Sequence, residues 1–139
     1  MTSTQVGRYG RFVLHDIRSV WEIIKPDIIK LKEKWGMDWR YEDVYAQCLM
    51  GRAFCYSCND GFIIVKPQEN QFTLAKELFV WICCSTASNG LMDYHPDISK
   101  IAKDIYATTI IFNSPRDGFI KVAKANNWTA ITEYQIPVI

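Results

Sequence analysis

The stretch LFVWICCSTASNG, residues 78–90, passes from an unbroken apolar run into a series of small polar residues. Seven successive uncharged, bulky or thiol side chains from Leu78 to Cys84 read as a strand buried on both faces, at the centre of a sheet. Glu77 starts that strand. The residues after it, from Ser85 to Gly90, suit either a thiol site, a phosphate-cradling turn or a plain strand end.

Upstream, Phe54–Cys58 and residues 62–66 flank Asn59-Asp60-Gly61, a hairpin signal because Asn, Asp and Gly tolerate positive φ. Pro67 closes the second strand, and residues 77–84 complete a meander. Before it, residues 10–15 (GRFVLH) form a first strand and Asp16 stands as a helix N-cap. Val20, Ile24, Ile28, Leu31 and Trp35 make one helical stripe that Gly36 ends. Pro26 lies within the stripe and predicts a kink or a break. A second helix follows in YEDVYAQCLMG, with Val44, Tyr45, Cys48 and Leu49 on one face and Gly51 as terminator.

Downstream, Pro96 opens a helix carrying Ile98, Ile101, Ala102 and Ile105, with Asp93 or His95 as its cap. Residues 108–112 (TTIIF) are a strand, and Ser114-Pro115 starts a helix reaching Asn126. TAITEYQIPVI, residues 129–139, forms a last strand. The fold class is therefore α/β (α+β). One domain over residues 1–139 holds a mixed, mostly antiparallel sheet of about six strands and about four helices, in the order β-α-α-β-β-β-α-β-α-β.

With 49% hydrophobic and 22% charged residues the chain can bury one core. A net charge of +1 without a Lys/Arg run excludes a nucleic-acid partner on electrostatic grounds. No apolar run spans a bilayer, and MTSTQVGRYGR lacks a signal-peptide core, so no membrane is expected and a cytoplasmic place is. Five cysteines fit reduced thiols. Cys55 and Cys58 form a C-x-x-C, but three positions along a strand turn them to opposite faces, and adjacent Cys83 and Cys84 diverge likewise. No metal site is expected. His15 and His95 are a strand-end and a helix-start residue, without a third partner for a triad.

This order of elements resembles the GNAT superfamily of N-acetyltransferases over nearly the whole chain. RFVLHDIRSVWEII is similar to its opening strand and Asp-started helix, and LFVWICCSTASNG to the strand delivering its coenzyme A loop. FNSPRDGFIKVAKANNWTAI is similar to its closing motif, with Asn113 at the Asn position and Asn127-Trp128 in place of Gly-Phe. The resemblance implies acetyl-CoA as cofactor, held by Cys84, Ser85, Ser88, Asn89, Gly90 and Asn113. The family loop, Gln/Arg-x-x-Gly-x-Gly/Ala, places Ser85 at the basic position and Ser88 at the first Gly. The loop is degenerate: its basic residue is missing, Asp93 repels an anion, and five residues separate Gly90 from Pro96, so that either Asp93 or Tyr94 already begins the helix or no anion site forms. Glu77 is the candidate catalytic base. The family's Tyr acid falls on Ala123, with Tyr106 and Tyr134 elsewhere. The resemblance places Trp39, Arg40 and Tyr41 at the acceptor cleft, as candidates for a recognition surface. The strands of residues 77–84 and 108–112 should splay to admit the pantetheine arm.

The NSPR-started helix and the shortened ending at Ile139 resemble those of small phage-encoded GNAT-like proteins. That likeness implies a non-catalytic structural, virion-associated or host-interaction protein, with a viral or host protein partner, in the bacterial cytoplasm or the virion. The alternative is an active N-acetyltransferase acting on a primary amine.

Overall fold

The computed structural model describes residues 8–86, 90–114, 118–130 and 136–138. Among them, six strands form one sheet in chain order: β1 (Arg8–Tyr9), β2 (Phe12–His15), β3 (Phe54–Cys58), β4 (Gly61–Glu69), β5 (Lys76–Ser85) and β6 (Thr109–Phe112). The first five pair antiparallel in succession, and β6 joins β5 in parallel. Four helices complete the described chain: α1 (Ile17–Trp35), α2 (Tyr41–Leu49), α3 (Gly90–Asp104) and α4 (Gly118–Ala125). The expected final strand falls largely on residues 131–135 and 139, outside the described residues.

Capping residues place α1 where the sequence put it. Asp16 accepts from the backbone N–H of Arg18 at 2.9 Å, and Gly36 closes the helix with φ 62°, a left-handed conformation that costs glycine little. The helix is not broken at Pro26, which lies inside it. Ile24 and Ile28, one turn apart on either side of the proline, are both buried in the core, and that packing outweighs the lost backbone hydrogen bond. The first strand is also more than one element. Gly10 and Arg11 form a turn, and Arg8–Tyr9 folds back to pair with Phe12 and Val13.

The sheet separates two cores. On one face α3 packs Tyr94, Ile98 and Ile101 against Phe12, Ile63, Val65, Leu78 and Val80. On the other, α1 and α2 pack Ile17, Ile24, Ile28 and Val44 against Cys55, Phe62, Ile64 and Ile82. Cys55 lies in the second core and Cys58 packs on the first; Cys83 and Cys84 divide the same way. Their sulfurs therefore lie on opposite faces, as period-two alternation requires.

β4 runs past Pro67 to Glu69, so the proline does not end it. β3 pairs with β4 only as far as Val65, which leaves Pro67 on a stretch with a single neighbour, where a missing donor is tolerated. The register between β4 and β5 shifts at Ile64/Val65: Ile64 pairs with Ile82 and Val65 with Val80, making Trp81 an extra residue. Leu78 and Val80 face the α3 core, whereas Ile82 faces the α1–α2 core.

Gly61 is fixed by crowding. A Cβ there would collide with the carbonyl oxygen of Cys84 and lie 2.7 Å from the Tyr94 hydroxyl. Gly36 has open space at the same test and only its left-handed φ to lose. Chemical denaturation should show Gly61→Ala losing about 1–3 kcal/mol or more through overpacking, against about 1 kcal/mol for Gly36→Ala.

Candidate functional site

β5 and β6 pair over Glu77↔Thr109 to Val80↔Phe112, and there β6 ends. β5 continues beside β4 as far as Ser85, paired with Gly61. The ladder between the parallel strands thus stops well before Cys84, and among the described residues no strand follows β6 along residues 81–85 of β5. The resemblance places its splay at this end of the ladder, beside the bulge residue Trp81.

α3 starts at Gly90 itself, and Pro96 lies inside it. The expected gap between Gly90 and the helix does not exist. Two buried side chains hold the early turns: Tyr94, fully buried, and Asp97, 7% exposed and bonded to Arg11. Asp93 and His95 are helical residues rather than caps. The helix N-terminus, with its positive dipole end, therefore stands directly at the end of the loop. Ser88 and Asn89 lie outside the described residues.

Asp93 does not stand as a bare charge. Arg11 donates to Asp93 Oδ2 at 2.7 Å and to Asp97 Oδ2 at 2.7 Å, and its guanidinium lies 5.3 Å from the centre of the Tyr94 ring. Tyr9 donates to Asp104 Oδ2 at 2.7 Å, which pushes its own pKa up to about 12. The β1–β2 hairpin is thereby clamped along α3. A Cβ on Gly10 would strike Asp97 Oδ1, so the clamp needs a glycine in that turn.

A compact polar cluster ties the loop to the hairpin. Asp60 Oδ1 accepts from Tyr94 Oη at 2.9 Å and from Cys58 Sγ at 3.0 Å. The phenol has one proton, so at its 3.1 Å contact with Ser85 Oγ it accepts. Thr86 donates its backbone N–H to the Asp60 carbonyl at 2.8 Å. A Cβ on Gly90 would lie 2.8 Å from Ser85 Cβ. Strand end, loop start and helix start thus converge on the β3–β4 turn. Burial raises the Tyr94 and Cys58 pKa values, while the bonds from Cys58 and Tyr94 lower that of Asp60. The sequence marks Asn59-Asp60-Gly61 as a turn and Tyr94 only as an alternative helix start. The available signal was an acid in the hairpin turn nearest the loop.

The remaining candidates scatter. Cys84 packs half-buried on the α1–α2 core. Asn113 is exposed just past β6. Glu77 lies at the other end of β5, half-buried, accepting from Gln68 Nε2 at 3.1 Å. Ala123 is buried on α4. Tyr106 is 80% exposed beyond α3, and Tyr134 lies outside the described residues. Asn127 takes φ 57°, and the Trp128 N–H reaches the Ala123 carbonyl at 2.8 Å. Asn127 therefore adopts the left-handed capping conformation that a glycine provides most easily. Trp128 then packs edge-on against Phe112 and His95.

Trp39 meets the bulge residue Trp81 edge to face at 6.1 Å; the Arg40 backbone N–H donates to Asp43 Oδ2 at 2.8 Å; Tyr41 lies near Trp21 and beneath Lys25. Burial pushes the Cys48 thiol up to about 11 and the Cys55 thiol to about 12, which keeps them protonated and poor as ligands or nucleophiles. Among the described residues no group of His, Cys, Asp and Glu could hold a metal ion, and no helix is long and apolar enough to cross a membrane. A concavity of about 390 Å³ lies away from the splay, lined by His15, Asp16, Arg18, Cys48, Leu49 and Cys55 among others. His15 there is hydrogen-bonded to Ser57 at 2.6 Å, at the end of β2.

No protein-family model matches the chain, and no curated protein matches it. Solved structures do. A probable acetyltransferase superposes with a TM-score of 0.67 at 15% identity, over 93% of this chain and 98% of that one. A ribosomal-protein-alanine N-acetyltransferase from Brucella melitensis biovar Abortus 2308 gives 0.61 at 12%, over 92% and 96%. An aminoglycoside acetyltransferase from an uncultured soil metagenomic sample gives 0.59 at 8%, over 92% and 97%. The chain has the GNAT acetyltransferase fold.

A carboxyl whose pKa is lowered by native contacts stabilises the fold above its ordinary value of 3.8 and loses that contribution as the pH falls through the depressed folded value. Asp60→Ala should therefore be less stable than the parent protein at pH 7. The gap should narrow as the pH falls below about 4, read from urea midpoints across the range.

Proposed function

We propose that the protein binds acetyl-CoA at the splay and transfers its acetyl group to a primary amine by direct attack in a ternary complex. The observation that carries this reading is the start of α3 at Gly90, directly at the loop and beside the open end of the β5–β6 ladder. Ser85 and Gly90 would hold the pyrophosphate, with the first amides of α3 as donors. Arg11 offsets part of the Asp93 and Asp97 charge nearby. Acetyl-CoA supplies a thioester carbonyl. The amine forms the new N–C bond as the C–S bond breaks. Glu77 takes the amine proton, and the departing thiolate is reprotonated from solvent, since Ala123 offers no acid.

A second reading rests on that same Ala123, buried where the family carries its acid, and on a loop without its basic residue. In it the protein is a non-catalytic, phage-type structural, virion-associated or host-interaction component with a protein partner. Calorimetric titration with acetyl-CoA separates binding from none. Micromolar affinity, weakened about tenfold or more by Gly90→Val, is expected; silence at millimolar ligand overturns the first reading. Release of free thiol in the presence of amines, reduced roughly 100-fold by Glu77→Gln, would mark catalysis. Binding with no release for any amine would favour the second.

A further inference from the structure

The α1–α2 face of β4 and β5 carries a short row of unlike side chains at the bulge. Trp81 turns to that face and meets Trp39. Lys66 lies on the same face, its ammonium 4.8 Å from the centre of the Trp81 ring. In the sheet Lys66 stands opposite Phe79, and the next pair on that face is Gln68 with Glu77. Alternation fixes this assignment, because Leu78 and Val80 point into the α3 core. Diagonal neighbours across an antiparallel pair lie about 7–8 Å apart, within reach of long side chains. Lys66 and Glu77 are such neighbours.

The charges on this row are not matched to each other. All four ion pairs among the described residues are made by arginines, and none includes Lys66. The Glu77 carboxylate is engaged by the Gln68 amide instead. A half-buried lysine whose ammonium lies over the Trp81 ring, beside a carboxylate it does not pair with, leaves its charge open to an anion from outside. A polycationic ligand would be repelled there.

We infer that Lys66, between Trp81 and Glu77, recognises a carboxylate on the acceptor, so that the amine acetylated is a small amino acid or a similar amine carrying a carboxylate, and not a polyamine. The inference rests on the transferase reading for its word acceptor, but the binding it asserts does not need turnover. Trp81 and Trp39 cover the ligand's carbon skeleton, Lys66 takes its carboxylate, and the amine lies toward Glu77. The cation on Trp81 distinguishes this row from an aromatic cage for ammonium groups, since the ring face is already occupied by Lys66.

The test is a titration of the nitrogen-15-labelled protein, with and without coenzyme A, following the indole N–H of Trp81, identified through Trp81→Phe. L-Glutamate should move that signal saturably, and spermidine should not. Lys66→Met should weaken glutamate binding roughly tenfold, and Lys66→Arg should retain most of it. Both variants should keep the parent's amide spectrum elsewhere, which excludes misfolding. Movement by spermidine in preference to glutamate, no movement by either, or a Lys66→Met response equal to the parent's would each overturn the inference. Loss of acetyl-CoA binding alone would sink the transferase reading while leaving these shifts in place.

Discussion

One extra residue in β5, the fifth of six strands, decides which core its later side chains face. Trp81 has no partner of its own in β4, and its insertion reverses which side chains of β5 face which core. Before it, Leu78 and Val80 belong to the α3 side; after it, Ile82 belongs to the α1–α2 side. The ladder to β6 ends at Val80, one residue before the bulge. A bulge bends its strand and sharpens the local twist. The placement of Trp39 and Lys66 on Trp81 follows from it.

A second constraint keeps the far end of that opening in place. Asp60 holds Tyr94, Cys58 and Thr86 at once, and Tyr94 adds Ser85. Ordering a binding segment on ligand entry carries an entropic cost that fixed flanks reduce. Here the residues on either side of it are fixed to a rigid hairpin. Arg11 does a complementary electrostatic job on the outer side of α3, where two aspartates would otherwise oppose an anion at the helix start. The chain thus lacks the basic residue that the GNAT resemblance expects in the loop but is not simply acidic at that place.

Much of this was legible from the residues. Asn59-Asp60-Gly61, the stripe on α1, the Asp16 cap and the β-branched run of β6 each carry a local signal strong enough to survive tertiary context. The bulge carried none. LFVWICC is apolar throughout, so no polar residue reports the switch of face at Trp81, and both registers satisfy the pattern. The start of α3 was misplaced because Pro96 is the residue most favoured at a first helical position. The contacts that extend the helix back to Gly90 come from Arg11 and Asp60, distant in sequence and invisible to periodicity. Lys66 read as the last polar residue of a strand, and only the pairing with Phe79 and the ring of Trp81 reveal its company.

The account stands or falls on whether the open end of the β5–β6 ladder, closed off by the first turn of α3, is where coenzyme A lies. A crystal structure of the protein grown with coenzyme A tests this most directly. The pyrophosphate is predicted against the amides at the start of α3, beside Gly90 and Ser85, with the pantetheine arm running along residues 81–85 of β5. Density for the ligand anywhere else, or a β5–β6 ladder zipped past Cys84 in its presence, would contradict the account.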